Sequence, residues 1–104
     1  MMEVFIDKLV HKQLVEFYES ALRNHITLDE ITVSRKMHRI YNALEELGKY
    51  AYVYSLAKLK KDWIEKGYRE YIFEDFHFAY QVYKRENGVY IVRVHEACHS
   101  LLYK

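Results

Sequence analysis

Aromatic and aliphatic residues fall on alternate positions through GYREYIFEDFHFAYQVYKRENGVYIVRVHE, near the end of the chain, and this period of two predicts strands. Three consecutive antiparallel strands are expected, at residues 68–73, 76–84 and 89–96. Only Glu74-Asp75 joins the first two, a hairpin signal although the usual Gly is missing. Arg85-Glu86-Asn87-Gly88 joins the second and third, and its Asn-Gly supplies the positive φ of a tight reversal. If Phe73 and Phe76 sit opposite each other, Tyr71 faces Phe78 and Arg69 faces Tyr80. The sheet then has two unlike faces. One carries Tyr71, Phe73, Phe76, Phe78, Tyr80 and Val82 with Tyr90, Val92 and Val94, and is apolar enough to be a core. The other carries Glu70, Ile72, His77, Ala79 and Gln81 with Ile91, Arg93 and His95, a mixed polar surface where any chemistry of the sheet should lie.

Earlier in the chain the period changes. Residues 3–6 read as a short strand with Val4 and Ile6 on one side. Asp7 is placed as an N-cap, after which Val10, Leu14, Phe17, Tyr18 and Ala21 recur at helical spacing to about Asn24. Thr27-Leu28-Asp29-Glu30 has the form of a capping box, with Ile26 and Ile31 placed as a hydrophobic staple. A second helix follows, with Val33, Met37, Ile40, Tyr41, Leu44 and Leu47 as its buried stripe and Gly48 as its stop. Residues 50–54 alternate Tyr, Ala, Tyr, Val, Tyr, which fits a short edge strand or an extended loop. Asp62-Trp63-Ile64-Glu65 should make one helical turn. The expected fold is α+β: a short N-terminal strand and a two-helix hairpin packed on one face of a sheet of three or four antiparallel strands, the other face open.

Composition narrows the class. At 104 residues the chain is expected to form one domain, residues 1–104. It holds no Pro and 3 Gly, with no polar low-complexity run, so no linker is expected. No apolar run is long enough for a membrane span, and MMEVFIDK does not look like a signal peptide. The lone Cys98 cannot form an internal disulfide and fits a reducing cytoplasm. The net charge of +1 gives no general pull toward nucleic acid. It is unevenly spread: residues 1–48 hold 6 Lys and Arg against 8 Asp and Glu, residues 49–104 hold 10 against 7.

The run Asp62-x-Ile64-x-Lys66-Gly67-Tyr68-Arg69, a tight reversal, the strand ending Phe78-Ala79-Tyr80-Gln81-Val82, an Asn-Gly turn, Ile91-Val92-Arg93-Val94-His95 and a closing Tyr103 together resemble the RelE/ParE superfamily of type II toxin-antitoxin toxins. The close likeness covers about residues 62–103, and the helical hairpin agrees only in size and order. The resemblance implies a small cytoplasmic toxin neutralised by a cognate antitoxin, acting either on the ribosome as an mRNA endoribonuclease or on DNA gyrase as a binding poison. No membrane, cofactor or small-molecule ligand is implied. The departures matter as well. RelE-type nucleases carry arginine where this chain has His77, and a second arginine beyond the last strand corresponds to Ala97. Tyr103 matches their C-terminal tyrosine, and His99 lies near where some relatives place a catalytic imidazole.

RNA cleavage by 2′-OH attack needs a base, an acid for the leaving oxygen and positive charge at the phosphate. Glu70 or His77 is the candidate base, His99 or Tyr103 the acid, and Lys60, Lys61, Arg93 and His95 the phosphate contacts. The plain alternative makes His77 and His95 half-exposed strand residues, Arg93 a partner for Glu70, Tyr103 a packing aromatic and the lysines a solvated loop. His95, Cys98 and His99, with His77 on the next strand, also have the types of a zinc set, but without a second cysteine no metal is assigned. Two further readings need no catalysis: a ParE-like gyrase-binding toxin, favoured by the missing arginines, and a silent member that only binds protein.

Overall fold

A computed structural model describes residues 1–25 and 27–103. Its centre is an open mixed sheet of β1 (Glu3–Ile6), β2 (Arg69–Phe73), β3 (Phe76–Lys84) and β4 (Tyr90–His99), in the order β1-β4-β3-β2. β2, β3 and β4 run antiparallel, as the short links between them require. β1 lies parallel to β4, with Val4 beside Val92 and Ile6 beside Val94, so the sheet is not wholly antiparallel. The hairpin register is the expected one: Phe73 faces Phe76, Tyr71 faces Phe78 and Arg69 faces Tyr80. Glu74 supplies the turn's positive φ, 54°, in place of a glycine.

The last strand runs three residues beyond its predicted end. Ala79 faces Glu96 but Tyr80 faces Val94, so His95 is an extra residue in β4. Without this bulge Glu96 would share the phase of Val92 and Val94 and enter the core. The bulge leaves His95 and Glu96 on the outer face and resets the alternation, so Ala97 pairs with Phe78 and His99 with Phe76 on the helix-covered side.

Helices α1 (Lys8–Asn24) and α2 (Glu30–Glu45) pack on that side, enclosing Val10, Leu14, Val33, Ile40 and Leu44 with Phe76, Phe78, Tyr80, Val92 and Val94. Met37 and Tyr41 complete the stripe half-buried, and Tyr41 hydrogen-bonds His11 across the two helices. Tyr90, expected in the core, is largely exposed at the sheet end, with the Lys84 ammonium over its ring.

Three local expectations are corrected. The N-cap of α2 is Asp29, which accepts the Thr32 N–H at 2.7 Å, while Thr27 lies in the preceding turn. A carboxylate at the better-placed position displaces the weaker threonine cap. The proposed staple falls partly on Ile26, outside the described residues, and Ile31 is exposed. Gly48 does not stop the helix but lies inside a further turn, α3 (Leu47–Tyr50). Close approach explains this glycine: Met2 N–H donates to its carbonyl at 3.0 Å, and a Cβ there would lie 2.0 Å from the Met2 oxygen.

Beyond α3 the chain turns through residues 51–54 and meets the edge of β2 through a bridge between Leu56 and Arg69, with Tyr54 packed against Tyr71. The expected helical turn is α4 (Lys61–Glu65). No helix among the described residues is long and apolar enough to cross a membrane.

Candidate functional site

The outer face of the sheet is not left open. Trp63 of α4 is fully buried, in a small cluster with Ala57 and Ala79, flanked by Tyr68, Cys98 and Tyr103. Ala79 is small on β3 because the indole needs the space above it. This wedge divides the polar residues of the face into two groups.

The first group joins Glu70, His77 and Tyr103, three of the residues picked out for catalysis. Glu70 and His77 are diagonal neighbours on β2 and β3, and Tyr103 returns over them after β4. His77 Nδ1 lies 2.9 Å from Glu70 Oε2, and the Tyr103 hydroxyl donates to Glu70 Oε1. The His77 and Tyr103 rings are stacked, centroids 3.8 Å apart and planes within 9°. An ionised carboxylate only accepts hydrogen bonds, so the His77 proton belongs on Nδ1, and Nε2 takes no hydrogen bond among the described residues. Burial, followed by the bond to Glu70 and its charge, holds the Tyr103 phenol far above its ordinary range. Tyr103 is therefore a poor proton donor at neutral pH. The side chains of His77 and Glu70 are only 15% and 14% exposed, which makes the group a sheltered one.

The second group forms around Asp7. Although Asp7 sits at the N-cap of α1, its side chain makes no cap bond. It reaches the sheet instead: Arg93 Nε donates to Oδ1 at 2.7 Å, and His95 Nδ1 lies 3.1 Å from Oδ2. His95 Nε2 is 2.8 Å from the Tyr83 hydroxyl, whose proton goes to Gln81 Oε1 at 2.7 Å, and Tyr68 stacks on the imidazole. Thus the partner of Arg93 is Asp7, not Glu70. Asp7, Tyr83 and Tyr68 were not read as site residues, because pairs this distant in sequence leave no local signal.

The remaining candidates are dispersed. Lys60 is paired with Asp62 at 3.6 Å and lies over the Trp63 ring, while Lys61 is exposed at the start of α4. The Lys60 backbone N–H opposes the rise of the Tyr103 pKa. His99 belongs to the other face, where its ring stacks on Phe17 at 3.9 Å and meets the edge of Phe76. Burial holds its imidazole below the ordinary histidine range. Ala97 lies within β4, buried beneath α1, with its N–H donating to Gln13 Oε1 at 2.7 Å. Cys98 pairs with His77 on the outer face, and burial pushes its thiol up. Among the described residues no group of three His, Cys, Asp or Glu side chains could hold a metal ion.

A scan against protein-family models and searches of curated proteins and of solved structures find no match for this chain. The site is therefore defined by its own geometry, and Glu70, His77 and Tyr103 are the candidates that geometry joins.

Proposed function

We propose that the chain is the toxin component of a type II toxin-antitoxin pair of the RelE/ParE kind, acting in the cytoplasm as a ribosome-dependent mRNA endoribonuclease. The observation that carries this reading is the hydrogen-bonded group of Glu70, His77 and Tyr103 on the sheet face named for chemistry. Glu70 fixes the tautomer and plane of His77, as a carboxylate does for a general-base imidazole. His77 Nε2 takes the ribose 2′-OH proton, the 2′-oxygen attacks phosphorus, and the bond to the 5′-oxygen breaks, that oxygen taking a proton from water, to leave a 2′,3′-cyclic phosphate and a 5′-hydroxyl end. Tyr103 clamps Glu70 and the imidazole plane, and Lys60, whose ammonium lies over the Trp63 ring beside Tyr103, supplies positive charge. The ribosome orients the message, since a net charge of +1 gives little RNA affinity by itself. Induction in a bacterial host, with and without the adjacent gene, tests this reading. Growth arrest with cleaved messages, relieved by the neighbour, is expected.

A second reading is favoured by a different observation. Asp7 occupies Arg93 and His95, Asp62 occupies Lys60, and Trp63 fills the centre of the face. A protein that docks on DNA gyrase, or only on its antitoxin, needs no cations free for phosphate. Filamentation and an SOS response with intact messages would support the gyrase form. Induction without any growth defect would leave only the silent one.

A further inference from the structure

A cleft of about 660 Å³ opens at the β1 edge of the sheet, the edge opposite Glu70 of β2. That volume is in the range of small-molecule sites. Strand phase explains its floor. Val4 and Ile6 pack against the core, so Phe5 turns to the outer face, where Arg93 is its register partner and Ile91 shares the phase. The start of α1 adds Lys8 and Leu9, and the turn after β3 adds Arg85. Phe5 and Leu9 are left exposed there.

The charged groups of this cleft are mostly cations. Lys8, Arg85 and Arg93 stand against the single carboxylate of Asp7, which leaves a net charge of +2. Glu3 and Glu86, beside these walls in sequence, neither line the cleft nor pair with its cations among the described residues. Asp7 takes the Nε–H of Arg93 at 2.7 Å, which fixes that guanidinium and leaves its two terminal nitrogens without a hydrogen bond among the described residues. Lys8 and Arg85 have no carboxylate partner there at all. Instead the Arg85 guanidinium lies over the Phe5 ring, 4.8 Å from its centroid.

Charge and shape together select a ligand. A phosphate monoester carries about −1.5 to −2 at neutral pH, which matches the excess in the cleft better than a single carboxylate does. Guanidinium forks fit phosphate oxygens, and exposed aromatic and guanidinium planes are surfaces on which any nucleobase can stack. We propose that the β1 cleft binds a free nucleoside monophosphate, its phosphate among Lys8, Arg85 and Arg93 and its base against Phe5 and Ile91. The site is independent of the catalytic reading, because Glu70, His77 and Tyr103 do not line it.

The test titrates the full chain with adenosine 5′-monophosphate, adenosine and inorganic phosphate, followed by NMR at the Phe5, Lys8, Arg85 and Ile91 amides. Saturable binding of the nucleotide is expected, with a Kd of about 1 mM or tighter, weakened by salt and about tenfold or more tighter than adenosine or phosphate alone. Arg85→Gln removes an exposed cation and no described ion pair, and should weaken the nucleotide about tenfold, the scale of a charge-assisted hydrogen bond. Phe5→Leu keeps the floor apolar, and should weaken the nucleotide while leaving phosphate binding unchanged. No saturable binding, or equal binding by the wild type and Arg85→Gln, would overturn the site. Phosphate held as tightly as the nucleotide, or single-stranded RNA shifting these amides where the mononucleotide does not, would overturn the ligand class.

Discussion

His77 and Tyr103 lie ring on ring, their centroids 3.8 Å apart, and both hydrogen-bond the same carboxylate, that of Glu70. Removing Glu70 therefore frees the imidazole and the phenol together. Glu70→Gln and His77→Ala are each expected to lower message cleavage by about hundredfold or more, the scale of a positioned general base. Tyr103→Phe keeps the stack and should retain more activity than either. His99→Ala should leave cleavage unchanged, because its ring packs against Phe17 on the other side of the sheet. Primer extension on induced messages checks all four.

Trp63 holds α4 to the sheet. Trp63→Ala empties a fully buried site and is expected to cost about 3–5 kcal/mol in chemical denaturation. Trp63→Phe should cost less, since the indole N–H has no hydrogen-bond partner among the described residues. Ala79→Leu should also destabilise, by about 1–3 kcal/mol, by overfilling the space beneath the indole.

Gly48→Ala tests the approach of the N-terminus to α3. A methyl group would meet the Met2 carbonyl at 2.0 Å, so the backbone must separate. The expected outcome is a loss of about 1–3 kcal/mol with faster amide exchange at Met2, whose N–H bonds the Gly48 carbonyl.

Stability should fall toward both ends of the pH range. Burial pushes Tyr80 up to about 12, while its hydroxyl donates to Ala51 O at 2.6 Å. The folded state holds this proton more tightly than the unfolded chain, so the stabilisation is complete below pH 10 and lost as pH rises through about 12. Tyr80→Phe should flatten that limb. His99 has the opposite sign: its folded pKa is depressed, so its contribution is present above pH 6.5 and is lost as pH falls below it. His99→Gln should flatten the acid limb. Thermal unfolding across pH reads both.

The sheet register could be read from the chain because Phe73 and Phe76 flank a two-residue link, and a period of two then fixes each partner outward from it. The phase breaks at His95, where one extra residue reverses it and carries His99 to the other face. The bulge has no signature of its own; only the prospect of Glu96 entering the core hinted at it. Asp7 was read as a cap from its neighbours alone, whereas Arg93 and His95 compete for its carboxylate across the fold. Trp63 belongs to a single helical turn, too short to show periodicity, and the small Ala79 was the one mark of its resting place. The joining of Glu70, His77 and Tyr103 was legible in residue type but not in geometry, since Tyr103 follows the last strand and its path had no pattern.

Mapping transcript ends after induction of the wild-type chain and of Glu70→Gln bears most directly on the proposed activity. Discrete new ends within translated messages in the wild type, absent in Glu70→Gln, are predicted. Growth arrest with intact messages, or the same ends in both, would contradict it.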